Sequence, residues 1–154
     1  MEEIIRLYGD AVYRLAYAYM RNPHDADDVF QDVFLRYAEK APVFRDAEHC
    51  RAWLLRVTIN RCRSHYRSAW WKRIVPLDAA DRVASPAPDD PALAEALARL
   101  PHKYRLVIHL SCYEHYDTQE IAALLSVKAV SVRAQLSRAR TMLKDLLKEG
   151  DDFV

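Results

Sequence analysis

The chain has 154 residues, of which 51% are apolar and 29% are charged. This length fits one or two small domains and excludes a large multidomain enzyme. Its only glycines are Gly9 and Gly150, whereas dinucleotide and P-loop sites need clustered glycines that let backbone N–H groups reach phosphate. Nucleotide-binding enzymes of those types are therefore excluded, and the scarcity of glycine favours a mostly helical protein.

The formal net charge of +1 hides an uneven distribution of basic residues. Residues 51–73 contain seven Lys/Arg and no Asp/Glu, which leaves 16 basic and 22 acidic residues, or −6, in the rest of the chain. The three cysteines, Cys50, Cys62 and Cys112, are odd in number and form no C-x-x-C pair. They suit a reducing cytosol, and we expect buried free thiols.

Targeting signals and membrane spans are not expected. The N-terminal sequence MEEIIRLYGDAVYRL lacks the basic and apolar regions of a signal peptide. The longest uncharged apolar stretch, residues 106–113, is far shorter than the roughly 18 residues of a membrane span. The sequence therefore predicts a cytoplasmic protein without membrane insertion.

The N-terminal half predicts three helices. Apolar residues at spacings of three and four predict a first helix that ends at Asn22-Pro23. A second helix is predicted from Asp25 to Pro42, and a third over residues 47–67. The apolar stripe of the first helix consists of Ile4, Leu7, Tyr8, Val12, Leu15 and Tyr19.

The third predicted helix carries two different faces. One is apolar, and a basic face with a central amide is rotated from it by about 100°. Aromatic residues accompany the basic residues, a combination that can neutralise phosphates and stack on unstacked bases. The alternative is a solvated face with tryptophans in the core, which is the preferred interpretation for Trp53 alone. The apolar face consists of Leu55, Ile59, Cys62 and Tyr66, and the basic face of Arg56, Asn60, Arg63 and Arg67.

A proline- and aspartate-rich segment separates the two halves. Residues 75–91, VPLDAADRVASPAPDDP, contain four prolines and four aspartates and no continuous apolar stripe. We predict a flexible linker over 76–92 between domains at 1–75 and 93–154.

The C-terminal half predicts four helices, over residues 93–100, 101–113, 118–125 and 130–148. Asp117 and Glu120 have the spacing of an N-cap and its reciprocal carboxylate. A short capped helix, a tight turn and a longer helix with a polar outer face are typical of a helix-turn-helix, although ordinary helical hairpins share this spacing. Thr118 and Gln119 can meet phosphate there, or Thr118 merely helps to cap the helix. The polar face holds Arg133, Ser137, Arg138, Arg140 and Lys144.

No catalytic, metal or cofactor site is predicted. Asp25, Asp28 and Asp32 share one helical face, but no second carboxylate cluster completes a coordination shell, so protein contact is preferred over a metal site. The six histidines are scattered and are expected to be surface or capping residues. No Ser/His/Asp or Cys/His grouping can be named.

Two separate segments in this order resemble bacterial RNA polymerase sigma factors of the sigma-70 family, in the extracytoplasmic function (ECF) group. Region 2 of that family is similar to DADDVFQDVFLRYAEK at 25–40 and RAWLLRVTINRCRSHYR at 51–67. Region 4 is similar to ALARLPHKYRLVIHLSCYEHYDTQEIAALL at 96–125 and SVRAQLSRARTMLKDLL at 131–147. The resemblance implies an all-α fold, with a region 2 bundle of three or four helices and a region 4 helix-turn-helix.

In the N-terminal half, the resemblance implies surfaces for core RNA polymerase and for the minus-10 element. The polymerase surface faces the clamp helices of the largest catalytic subunit and consists of Asp28, Gln31 and Asp32. The loop at 43–46 and the basic face would capture unstacked bases through Phe44, Arg56 and Asn60. Nearby phosphates would be held by Arg63, Arg67, Lys72 and Arg73.

In the C-terminal half, the resemblance places the longer helix in the major groove of the minus-35 element. The chain departs from the family in four places: Ser126 and Val130 replace the usual glycines of the turn, and Ala134 and Gln135 replace a serine and an arginine. The implied minus-35 residues are Thr118, Gln119, Ser131, Arg133, Ala134, Ser137 and Arg138.

The implied function is promoter-specific initiation by a non-enzymatic subunit that traps melted DNA without ATP. The implied partners are core RNA polymerase, duplex and melted promoter DNA, and an anti-sigma factor. The main alternative is a free-standing helix-turn-helix regulator that binds a palindrome as a dimer. A metal-dependent helical hydrolase is a third interpretation, which lacks a second ligand cluster.

Overall fold

A computed structural model of the chain describes residues 1–72 and 90–151, with side chains for 1–67 and 90–149. All regular structure in these ranges is helical, which confirms the predicted all-α class. The elements are α1 (Glu2–Met20), α2 (Pro23–Lys40), α3 (Ala47–Lys72), α4 (Pro91–Arg99), α5 (His102–Ile108), a π-helical turn (His109–Tyr113), α6 (Thr118–Leu125) and α7 (Ala129–Asp151).

The Asn22-Pro23 dipeptide both separates α1 from α2 and starts α2. The Asn22 side chain accepts the Asp25 N–H at 3.1 Å, and proline fits the first helical position because its missing N–H has no intrahelical partner there. The helix therefore begins two residues before the predicted Asp25. Helix α1 ends where Arg21 turns left-handed, at φ 51°, and donates its N–H to the Tyr17 carbonyl at 2.8 Å.

Other boundaries also differ from the prediction. Helix α3 extends to Lys72. Helix α4 begins at Pro91, inside the predicted linker, because Asp90 caps it by accepting the Ala92 N–H at 3.0 Å. Residues 76–89 of that linker and Arg73 lie outside the described residues. The helix predicted over 101–113 changes at its end into a π-helical turn.

Helices α1, α2 and α3 pack against one another as a three-helix unit, the first helical unit. Each contributes fully buried apolar side chains at helical spacing, and burying one such side chain stabilises a fold by about 1.5–3 kcal/mol. This core is built on Val12, Leu15, Val29, Val33, Leu54, Leu55, Ile59 and Cys62.

Helices α4 to α7 form a second compact unit, the second helical unit, in which α7 packs against α4, α5 and α6. The buried residues include Leu97, Leu100, Val107, Leu110, Ile121, Leu124, Val132, Leu136 and Ala139. Within residues 1–72 and 90–151, none of the helices has the length and apolar character needed to span a bilayer.

Candidate functional site

The acidic stripe, Asp28, Gln31 and Asp32, lies on one side of α2. Gln31 is exposed, and the side chains of Asp28 and Asp32 are 47% and 39% exposed. Asp32 Oδ2 lies 2.9 Å from Nε2 of His65 on α3. Asp32 therefore joins two helices as well as facing solvent. The sequence contained no signal for this pair, because its members are 33 residues apart.

The basic face of α3 is separated from the core as predicted. Arg56, Asn60 and Arg67 are exposed and Arg63 is partly exposed. On the other side, Leu55, Ile59 and Cys62 are fully buried, and the ring of Tyr66 meets the Tyr19 ring edge-on at 5.8 Å. Helix α3 thus packs one face into the first helical unit and leaves the basic face at the surface. The side chain of Lys72 lies outside the described part, as do those of Trp70 and Trp71.

The loop between α2 and α3 is held at both ends. Ala41 is left-handed, at φ 43°, and its N–H donates to the Tyr37 carbonyl at 2.9 Å. At the other end, Asp46 Oδ1 accepts the His49 N–H at 2.8 Å, while His49 Nδ1 accepts the Arg45 N–H at 3.1 Å. The loop is therefore a structured connection between α2 and α3.

Within this loop, Phe44 is half-buried. Its ring lies 6.4 Å from Tyr37, 5.3 Å from His49 and 5.8 Å from Trp53, measured between centroids. Val43 beside it is 93% exposed. The aromatic cluster fixes the position of the loop, and Val43 is its most exposed apolar side chain; Val43 lies inside the predicted loop 43–46 but is not among the named site residues.

The helix-turn-helix begins with the predicted cap. Asp117 Oδ1 accepts the Glu120 N–H at 2.8 Å, and Glu120 Oε1 accepts the Asp117 N–H at 2.9 Å. The backbone N–H groups of Asp117 and Glu120, which have no partner within the helix, are thereby both hydrogen-bonded. Thr118 is partly buried and Gln119 is exposed immediately after the cap.

Two of the four departures from the family pattern, Ser126 and Val130, lie at the turn between α6 and α7. Ser126 takes the left-handed conformation at φ 57°, and its neighbour Val127 donates its N–H to the Ala122 carbonyl at 3.0 Å. Val130 lies within α7 and is absent from the described positive-φ residues. Only the first of the two replaced glycines therefore meets a glycine-like backbone requirement.

Helix α7 presents the predicted reading residues to solvent. Arg133, Ala134, Ser137 and Arg138 are exposed, and Ser131 is partly buried. The opposite face supplies Val132, Leu136 and Ala139 to the core of the second helical unit. Val130, in the first turn of α7, is 65% exposed and was not included in the predicted set.

His109 and Glu114 form a buried pair in the second helical unit. His109 Nε2 lies 2.7 Å from Glu114 Oε2, with side chains 9% and 0% exposed. The prediction that the histidines are surface or capping residues is wrong for His109, because burial of a carboxylate requires a polar partner. Likewise, Cys50 and Cys62 are buried as expected, but Cys112 is exposed. Within the described residues, His, Cys, Asp and Glu side chains form no cluster suited to a metal ion.

Two family profiles match most of the chain. Sigma-70 region 2 matches residues 4–72, the range of the acidic stripe and the basic face, and Sigma-70 region 4 matches residues 91–143, the range of the helix-turn-helix. The chain belongs to the sigma-70 family of RNA polymerase sigma factors. Relatives named as ECF sigma factors place it in the ECF group of that family.

The ECF RNA polymerase sigma factor SigE of Mycolicibacterium smegmatis is 33% identical over 95% of this chain, which spans 61% of that protein. The ECF RNA polymerase sigma factor SigM of Mycobacterium tuberculosis is 31% identical, with 95% of this chain and 76% of that protein covered. Both relatives align with nearly the whole of this sigma factor.

Solved structures share the fold. The sigma factor RpoE of Bartonella quintana, in complex with the anti-sigma factor NepR, has a TM-score of 0.77 at 23% identity, with 96% of each chain covered. CnrH, in complex with the cytosolic domain of CnrY, has a TM-score of 0.67 at 26% identity, with 96% of this chain and 87% of that chain covered.

Proposed function

We propose that this sigma factor binds core RNA polymerase through the acidic stripe, captures melted minus-10 bases on the first helical unit, and reads a minus-35 element with α7. The observation that carries the proposal is the presence of these three surfaces in one chain. A free-standing helix-turn-helix regulator needs the second helical unit alone. The acidic stripe and the basic α3 face, both on the first helical unit, are needed for initiation by a sigma factor and have no role in such a regulator.

The acidic stripe provides electrostatic complementarity to a basic partner surface. Such complementarity speeds the encounter and sets the register of docking. Leu35, one turn after Gln31 and Asp32 on α2, is 59% exposed and supplies an apolar contact beside the charged ones. Docking therefore combines steering by carboxylates with burial of an exposed leucine.

The basic α3 face suits single-stranded DNA. Asn60 offers both a donor and an acceptor to a base edge, whereas Arg56 offers donors only. Arginines farther along α3 neutralise phosphates, which supports strand binding without specifying sequence. Binding free energy from bases captured after transient unstacking drives melting, so no nucleotide hydrolysis and no catalytic side chain are required.

The second helical unit supplies duplex recognition. Arginine pairs with guanine O6 and N7 in the major groove, and a good bidentate pair discriminates against a wrong base by about 1–3 kcal/mol. Arg133 and Arg138 have the exposure that such contacts need. Thr118, which is partly buried, and the exposed Gln119 at the N-terminus of α6 add phosphate contacts that position α7.

Regulation by an inhibitory protein is part of the proposal. CnrH, which shares 26% identity with this chain, is described in complex with the cytosolic domain of CnrY. An anti-sigma partner that covers the exposed surfaces of this chain would block promoter recognition. Action on polymerase and DNA places the protein in the cytoplasm.

Reconstitution with core RNA polymerase tests the proposed function. The full chain and core enzyme are mixed, co-elution is measured, and transcripts initiated on fragmented genomic DNA are sequenced. We expect co-elution and a shared two-part promoter upstream of the start sites. Failure to co-elute, together with tight binding of duplex palindromes by the chain alone, would support the free-standing regulator.

A further inference from the structure

An exposed apolar side chain lies at the start of α7, the helix proposed to read the minus-35 element. Val130 is the second residue of α7 and is 65% exposed. It contributes little to the core of the second helical unit. Its backbone is helical, and β-branched valine is a weaker helix former than alanine. Neither packing nor the turn therefore explains a valine at this position.

The direction of Val130 follows from helical geometry. At about 100° per residue, Val130, Ala134 and Ser137 lie along the centre of the outward face. Their exposure agrees with this placement. The buried residues of α7, Val132, Leu136 and Ala139, lie on the opposite side.

Arginines flank this central line. Arg133 lies on one side of Val130 and Arg138 on the other, each about 60–80° around the helix. Both arginines are exposed. The outward face of α7 thus has an apolar centre, formed by the Val130 isopropyl group and the Ala134 methyl group, between two cationic edges.

We propose that Val130 is a specificity-determining residue whose isopropyl group contacts the C5-methyl group of a thymine in the minus-35 element. The N-terminal residues of a recognition helix reach base edges. The thymine methyl is the apolar group that the major groove presents, and small apolar side chains are its usual partners. This inference rests on the proposed function, because it requires α7 to lie in the major groove.

The test uses the reconstituted holoenzyme. Duplexes selected from a randomised minus-35 library define the preferred element, and affinities are measured by fluorescence anisotropy at fixed salt. Each thymine of the selected element is then replaced singly by deoxyuridine, which removes only the methyl group. We expect wild type to lose about fourfold in affinity at one thymine, the factor that corresponds to burial of one methyl group.

The assignment of Val130 to a thymine methyl is tested by comparing the deoxyuridine effect in wild type with that in Val130→Ala. We expect Val130→Ala to weaken binding of the methylated duplex and to abolish the deoxyuridine effect at that one position. A selected element without thymine, no deoxyuridine effect, or an equal effect in wild type and Val130→Ala would overturn the proposal. Because Val130 is exposed and alanine is the better helix former, urea unfolding should show Val130→Ala to be at least as stable as wild type.

Arg133→Ala separates this inference from the proposed function. If Arg133→Ala removes the minus-35 preference while Val130 and thymine methyls show no coupling, only the Val130 assignment is wrong. If wild-type holoenzyme selects no minus-35 sequence, the proposed reading by α7 itself fails. Coupling at one thymine together with loss of preference in Arg133→Ala supports both.

Discussion

Residues with left-handed backbone end several helices of this chain without glycine. Arg21, Ala41, His115 and Ser126 have φ values of 51°, 43°, 62° and 57°. Each adopts a conformation that glycine enters without steric strain and that other residues adopt at a cost of about 1–2 kcal/mol. The non-glycine residues at these positions therefore reduce the stability of the fold, and replacing one of them by glycine can raise it.

Ser126→Gly is expected to raise the free energy of unfolding by about 0.5–1 kcal/mol, since relief of strain exceeds the extra chain entropy of glycine. Urea unfolding followed by circular dichroism measures the change. The matched control is Ala123→Gly, at an exposed position inside α6, which should lower stability by about 1 kcal/mol. Loss of stability in both variants would show that the Ser126 backbone is unstrained.

Gly9 presents the opposite case, a glycine inside a helix. An added Cβ would lie 3.5 Å from side-chain carbons of Ile5 and Phe30, which is ordinary van der Waals contact. Gly9→Ala should raise the free energy of unfolding by about 1 kcal/mol through helix propensity. Asp10→Ala, at the exposed neighbouring position, should change it by less than about 0.5 kcal/mol. A destabilised Gly9→Ala protein would show that α1 and α2 pack more tightly than the structure indicates.

The cysteines differ in reactivity because they differ in burial. Burial raises the pKa of Cys62 and of Cys50 above the ordinary value of 9.0, and the thiolate is the reactive form. A disulfide reagent should label only Cys112 in the native chain between about pH 7 and about pH 9, and all three cysteines in urea. Cys112→Ser should remove the native labelling. Rapid labelling of native Cys62 would contradict the packing of α3.

At the scale of elements, Asp32, which the proposed function assigns to core binding, also joins α2 to α3 through His65. Asp32→Ala should lower the free energy of unfolding by about 1 kcal/mol, since it removes the bond to the half-exposed His65, and should also weaken core binding. Gln31→Lys should weaken core binding alone. Urea unfolding and core titration distinguish the two effects.

Two controls accompany that comparison. His65→Ala should reproduce the loss of stability while retaining core binding. Glu2→Lys, at an exposed acidic position in the first turn of α1, should also retain core binding, with at most about 0.3–1 kcal/mol of stability lost to a cation at the helix N-terminus. Wild-type core affinity in Gln31→Lys would remove the acidic stripe from the docking surface. Unchanged stability in both Asp32→Ala and His65→Ala would show that the pair is energetically neutral.

At the scale of the whole molecule, the proposed function assigns single-stranded DNA to the first helical unit and duplex DNA to the second. In holoenzyme, Arg133→Ala should weaken minus-35 duplex binding by about 1–3 kcal/mol and leave binding of a single-stranded minus-10 oligonucleotide unchanged. Asn60→Ala should have the reverse effect. Anisotropy with each DNA measures both. Equal losses on both DNAs in either variant would contradict the division.

The sequence by itself determined the features that depend on local periodicity and on neighbouring residues. These are the helical class, the two faces of α3, the Asp117–Glu120 cap and the helix-turn-helix, because helical spacing and caps involve residues within a few positions of one another. Family resemblance added the order of the two regions.

Only the tertiary structure decided which distant side chains meet. The Asp32–His65 contact joins two helices, and the Phe44 ring packs among residues from α2 and α3. Burial of the His109–Glu114 pair likewise follows from the packing of the second helical unit. The physical reason is that a residue's burial and partners depend on helix packing in three dimensions, which periodicity along one helix does not specify.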